Sequence, residues 1–134
     1  MSHALDKIME YTSEFDGSNG ICTVHVTGEY RRPIDSNALK RFCIDFSIKH
    51  GCFLFLVDLT EAKFITGGLS TFNAANPQGA VAEHLRKFRT AFVCRELTED
   101  DLFFETVAVN RGFQLRAFDS VEKAVEWLVP TKLS

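Results

Sequence analysis

From Cys52 to Thr60 the chain reads Cys-Phe-Leu-Phe-Leu-Val-Asp-Leu-Thr, an apolar run with no helical period and no alternation, interrupted only by one carboxylate near its end. A strand that is apolar on both faces is covered on both faces, which is the habit of parallel sheets flanked by helices. The run therefore predicts the central strand of an α/β fold. Asp58 is expected where this strand emerges at its carboxyl end, the place where open α/β sheets put their binding sites.

The flanking patterns extend this reading. Glu10 to Phe15 and Ile21 to Thr27 alternate apolar with polar around Asp16-Gly17-Ser18-Asn19-Gly20, which predicts an antiparallel hairpin. Cys22, Val24 and Val26 point one way in it, and Thr23, His25 and Thr27 point to the wetter side. Leu39, Phe42, Cys43 and Phe46 fall at helical spacing behind Asp35 or Ser36 as N-cap, and Gly51 ends that helix. After Thr60 a loop and the pair Gly67-Gly68 lead into a helix that Asn76-Pro77-Gln78-Gly79 interrupts; Val81, Leu85 and Phe88 resume the spacing. Thr90 to Cys94 is a third parallel strand. Thr98-Glu99-Asp100-Asp101 has capping-box form and opens a helix through Leu102, Phe103 and Val107, which Gly112 stops. Gln114 to Phe118 carries a charge in mid-strand, as an edge strand does. Asp119-Ser120-Val121-Glu122 then caps a last helix with Val121, Ala124, Val125 and Leu128 on one stripe and Trp127 as anchor. The expected fold is a mixed sheet of about five strands with about four helices, in one domain over residues 1–134.

Composition narrows the function classes. The 46% of hydrophobic and 25% of charged residues suit a folded globular chain, and the thirteen Phe are read as core bulk. A net charge of -3 offers no positive field for nucleic acid or an anionic membrane. The longest apolar run is too short to span a bilayer and the first residues lack a signal-peptide pattern, so a cytoplasmic location is expected. Cys22, Cys43, Cys52 and Cys94 form no C-x-x-C pair and read as buried thiols. His25 reads as a solvated strand histidine, with no metal partners at nearby spacing. No Walker-type lysine accompanies Gly67-Gly68, so no cofactor is expected.

The string Val57-Asp58-Leu59-Thr60-Glu61-Ala62-Lys63-Phe64-Ile65-Thr66-Gly67-Gly68-Leu69 resembles the signature of STAS domains, the fold of bacterial anti-sigma-factor antagonists, where a strand ending Asp-Leu-Ser leads to a Ser-Gly-Leu loop and a helix. The closing Phe118-Asp119-Ser120-Val121-Glu122-Lys123-Ala124-Val125-Glu126-Trp127-Leu128 is similar to the last strand and helix of SpoIIAA-like (STAS/SEC14) proteins. The likeness spans nearly the whole chain and implies a STAS/SpoIIAA-like fold. It puts Gly67 where those antagonists carry a phosphorylated serine, and glycine accepts no phosphoryl group; Thr66, Ser70 and Thr71 are the neighbouring hydroxyls.

The resemblance implies a non-enzymatic regulatory or protein-interaction module that presents the Asp58 to Phe72 loop and helix to another protein. The candidate interaction residues are Asp58, Phe64, Ile65, Thr66, Gly67, Gly68, Ser70 and Thr71. The relation to SEC14-type folds implies the alternative of a binding protein for a small apolar or lipid-like ligand. A phosphoreceiver built on Asp58 needs an acidic pair after an early strand, and Val26-Thr27-Gly28-Glu29 offers one acid. Asp58 is instead expected to cap or order its loop by accepting backbone N–H bonds. A homodimer is expected from sequential winding that leaves one face of the sheet without helices.

Overall fold

The computed structural model describes residues 8–31, 34–65 and 69–130. Five strands, β1 (Glu10–Asp16), β2 (Ile21–Tyr30), β3 (Leu54–Phe64), β4 (Arg89–Val93) and β5 (Gln114–Phe118), lie in one sheet in that order. β1 runs antiparallel to β2 and every other pairing is parallel. The helices among the described residues are α1 (Ile34–His50), α2 (Leu69–Ala74), α3 (Gly79–Leu85), α4 (Glu99–Asn110) and α5 (Val121–Leu128). They number five where about four were expected, because Asn76-Pro77-Gln78 divides α2 from α3. Phe88 falls just outside α3 and is buried at the entrance to β4.

β3 is the middle strand, as the apolar run demands. Phe55, Val57 and Leu59 pack with Cys22, Val24 and Val26 of β2 against Leu39 and Cys43 of α1. Farther along the same face, Ala74, Ala82, Phe104 and Ala108 from α2, α3 and α4 pack with Phe113, with Phe92 and Leu115 against them. Leu56 points to the opposite face, where Ala91 and Val93 meet Ala124 and Leu128 of α5. Helices therefore lie on both faces, which corrects the premise of one bare face. The part of the second face beyond α5 carries His25, Thr27 and Asp58.

Local chemistry sets the element ends. Asp16 ties the hairpin turn by accepting bonds from Ser18 N–H at 2.8 Å and Ser18 Oγ–H at 2.6 Å, and these bonds hold its carboxyl below the usual carboxylate range. Thr98 and Asp101 close the expected capping box reciprocally, at 3.0 Å and 3.2 Å. On α4, Phe104, Val107 and Ala108 face inward, while Leu102 and Phe103 are exposed. Ser120 caps α5 by accepting from Lys123 N–H at 3.1 Å. At the other end of α5, Arg89 donates from Nε and Nη2 to the Trp127 carbonyl at 3.0 Å and 2.8 Å, with its guanidinium 3.9 Å from the indole centre. A cation on a helix's last carbonyls satisfies acceptors the helix leaves open and complements its dipole, which fixes α5 to β4.

All four cysteines are buried thiols, none of them in a disulfide. Burial pushes the Cys22 thiol up to about 12 and raises Cys43 and Cys52 as well. The thiolate is the reactive form, so at pH 8 the folded protein is expected to react with no aromatic disulfide reagent over minutes and to release four equivalents on unfolding. A thiol that titrates rapidly in the native state would contradict this packing.

Candidate functional site

β3 does not end at Asp58, where the apolar run stops. Its ladder with β4 closes at the Asp58–Val93 pair, and the strand continues alongside β2 to Phe64. Between these stretches the register with β2 shifts: His25 faces Asp58, but Thr27 faces Glu61. One extra residue on β3 is a β-bulge, which reverses the side-chain parity of all that follows. Phe55, Val57 and Leu59 point inward before it, and Ala62 and Phe64 after it.

Asp58 orders this bulge. Its Oδ1 accepts from Thr60 N–H at 3.0 Å and from Thr60 Oγ1–H at 2.7 Å, and its Oδ2 lies 3.3 Å from His25 Nδ1. Arg95, in the loop after β4, donates from Nη2 to the Thr60 carbonyl at 2.7 Å. A side chain from each of three elements thus holds the two-residue kink. The expected ordering role of Asp58 is met, but inside the strand and not in a loop beyond it. Asp58→Ala is expected to destabilise the fold by about 1–2 kcal/mol, because the Thr60 N–H loses its acceptor. Asp58→Asn keeps an acceptor at Oδ1 and should cost less; equal midpoints for the three proteins in urea unfolding would refute the bracing role.

The remaining candidate residues separate. Phe64 is half-buried with its ring 5.3 Å from that of Tyr30, and Ile65 donates its N–H to the Tyr30 carbonyl at 3.1 Å while its side chain is 43% exposed. Thr66, Gly67 and Gly68 lie outside the described residues. Ser70 belongs to the first turn of α2. Thr71 is the correction: it is fully buried, and its hydroxyl donates to Asp100 Oδ2 at 2.7 Å, hooking α2 to the first turn of α4. It is not a presented residue. Asp58 likewise faces the other side of the sheet from Phe64.

The lone run of β3 past β4 opens a groove of about 380 Å³ between Ala62 and Phe64 on one side and Arg95, Glu96 and Asp100 on the other. His25, Arg95 and Asp100 are the participants that sequence reading missed. Nothing in their local spacing marks them, since pairing register and loop geometry bring them in. The parity change from Leu59 to Ala62 is the one signal that foretells the bulge. His25 has Asp58 at 3.3 Å and Glu14 Oε1 at 3.9 Å, so it is less isolated than a solvated strand histidine. Among the described residues no group of three His, Cys, Asp or Glu side chains is placed to hold a metal ion.

No protein-family model and no curated protein sequence matches the chain. Several solved structures resemble it. An anti-sigma factor antagonist from Mycobacterium paratuberculosis superposes with a TM-score of 0.53 at 15% identity, over 91% of this chain and 95% of that one. An uncharacterised protein with a SpoIIAA-like fold from Shewanella loihica superposes with a TM-score of 0.55 at 12% identity, over 90% and 93%. At such identities the likeness is one of architecture. The five-stranded mixed sheet, its order and both superpositions agree that this chain has the STAS/SpoIIAA-like fold.

Proposed function

We propose that residues 1–134 act as one STAS-like regulatory module without catalytic activity, which offers the segment leading from β3 into α2 to a partner protein. The carrying observation is Ile65, which follows the end of β3, donates its N–H to the Tyr30 carbonyl and keeps 43% of its surface exposed. An exposed branched apolar residue on a rigid strand end suits an interface centre, where ordering costs are small. Among the described residues no helix is long and apolar enough to cross a membrane, and a cytoplasmic location belongs to the same proposal. Gly67 has no hydroxyl and that of Thr71 is buried against Asp100, so any phosphorylation control falls to Thr66 or Ser70.

The apolar-ligand alternative gains little from the interior. The space between α1, the sheet and α4, lined by Leu39, Cys43, Phe88, Phe92 and Phe104, is about 70 Å³. An engineered cavity that takes up benzene is roughly 150 Å³, and an acyl chain needs more. The protein-partner reading is tested by placing a benzophenone amino acid at position 65 in the native cell, with the same residue at Ile48, 69% exposed on α1, as control. One adduct of discrete mass from position 65 and none from 48 is expected. No adduct at 65, or the same adducts from both, overturns the reading.

A further inference from the structure

β1 is an edge strand that the described residues leave open along its length. All seven of its residues are exposed, it pairs only with β2 among the described residues, and its two faces differ in chemistry. On one face Tyr11 and Phe15 rest on Phe42 and Phe46 of α1, with ring centres at 5.3 Å and 5.7 Å, and remain 38% and 48% exposed. On the other, Glu10, Thr12, Glu14 and Asp16 alternate along the strand beside His25 and Thr27 of β2. Asp58 and Glu61 of β3 border the same open groove of about 340 Å³. The cation nearest along β3, Lys63, stands opposite Glu29 in the ladder. The other sheet edge is treated differently: on β5 the Ala117 N–H is taken by Glu105 Oε1 at 2.8 Å, and the described residues supply no such plug to the outer side of β1.

An open edge carries a row of backbone donors and acceptors that a further strand satisfies. A second copy is a poor occupant. Antiparallel pairing of two β1 strands about Ser13 puts Glu10 opposite Asp16, and shifting it by two residues puts Glu10 opposite Glu14 or Glu14 opposite itself. Like charges directly opposite are destabilising in a sheet. The same carboxylates attract a strand of opposite sign. We propose that β1 is a strand-addition site for an extended segment of a partner protein in which lysine or arginine alternates with apolar residues. The cations face the carboxylate side, and the apolar residues continue the Tyr11 and Phe15 surface. This surface is separate from Ile65, so either proposal stands if the other fails.

The test uses a capped peptide of about eight residues, within the roughly 3–10 residues of ordinary strands, in which lysine alternates with valine. It is titrated into isotopically labelled protein at low salt. The expected result is chemical-shift change and slowed amide exchange across β1, undisturbed β5 amides, and affinity that falls at least tenfold at high salt. The Glu10→Lys/Glu14→Lys double variant, checked for unchanged secondary structure by circular dichroism, should bind that peptide at least tenfold more weakly. It should bind a glutamate–valine peptide that the parent ignores. A lysine–valine peptide with a central proline separates strand addition from mere charge attraction, since proline cannot complete the ladder. Equal binding of the proline peptide, contacts away from β1, or indifference to the charge reversal overturns the proposal.

Discussion

Gly28→Ala is expected to lower stability by about 3 kcal/mol or more, a large share of the roughly 5–15 kcal/mol that holds a domain of this kind together. Gly28 sits inside β2 with φ at +84°, where an L residue pays about 1–2 kcal/mol for the clash between its Cβ and its own backbone. A second cost comes from outside the residue. A Cβ there would stand 2.3 Å from the Ile8 carbonyl oxygen and 2.9 Å from its carbon. Backbone atoms cannot swing aside as a long side chain can, so the segment entering β1 has to lift, taking with it Met9, which packs on the core. Gly17→Ala is the control, because nothing lies within 4 Å of a Cβ at that position and its φ is not positive. Urea unfolding of the two variants should separate them by several kcal/mol, and equal stabilities would show that the chain does not cross β2 at Gly28.

What the sequence made legible follows from how local each signal is. The hairpin rests on turn dipeptides within five residues, Asp16-Gly17 and Asn19-Gly20, and the α4 cap rests on Thr98 and Asp101 three apart; both formed as read. The central strand was legible because burial on both faces removes the polar alternation. Its true end was not, because after the bulge Glu61 and Lys63 restore an alternation that reads as loop. The placement of α5 on the second face depends on the path between β5 and the sheet, which no side-chain pattern encodes. The Asp58 contacts to His25 and the Arg95 contact to Thr60 join residues 33 and 35 positions apart, and only the ladder register aligns them. Leu102 and Phe103 lie on the wet side of α4, and apolar residues are common on surfaces, so their type alone does not tell which side of the helix is buried.

Phe55→Ala is expected to cost about 3–5 kcal/mol, the range for truncating a buried phenylalanine. Phe55 has no exposed surface, and its ring lies 4.9 Å from Phe88 and 6.4 Å from Phe46, between the central strand and α1. Two aromatic rings lose an edge contact each, and the void is walled by strand and helix that cannot collapse into it. Phe53, two residues earlier, is 46% exposed and touches Phe88 only at 6.2 Å, so Phe53→Ala should cost about 1 kcal/mol or less. The contrast reads directly how the chain goes from the surface into the core as β3 begins. Similar costs for the two variants would mean that the strand starts elsewhere.

Native-state amide exchange followed by NMR tests the placement of β3 most directly. With β3 at the centre, β2 and β4 on its sides and helices on both faces, the amides from Phe55 to Asp58 should exchange last, at the rate set by global unfolding, while β1 amides not bonded to β2 exchange far sooner. Beyond the bulge, amides of β3 that point toward the missing β4 partner should lose that protection. Fast exchange from Phe55 to Asp58, or β1 amides as slow as these, would contradict the arrangement on which the braced strand end and the open edge both depend.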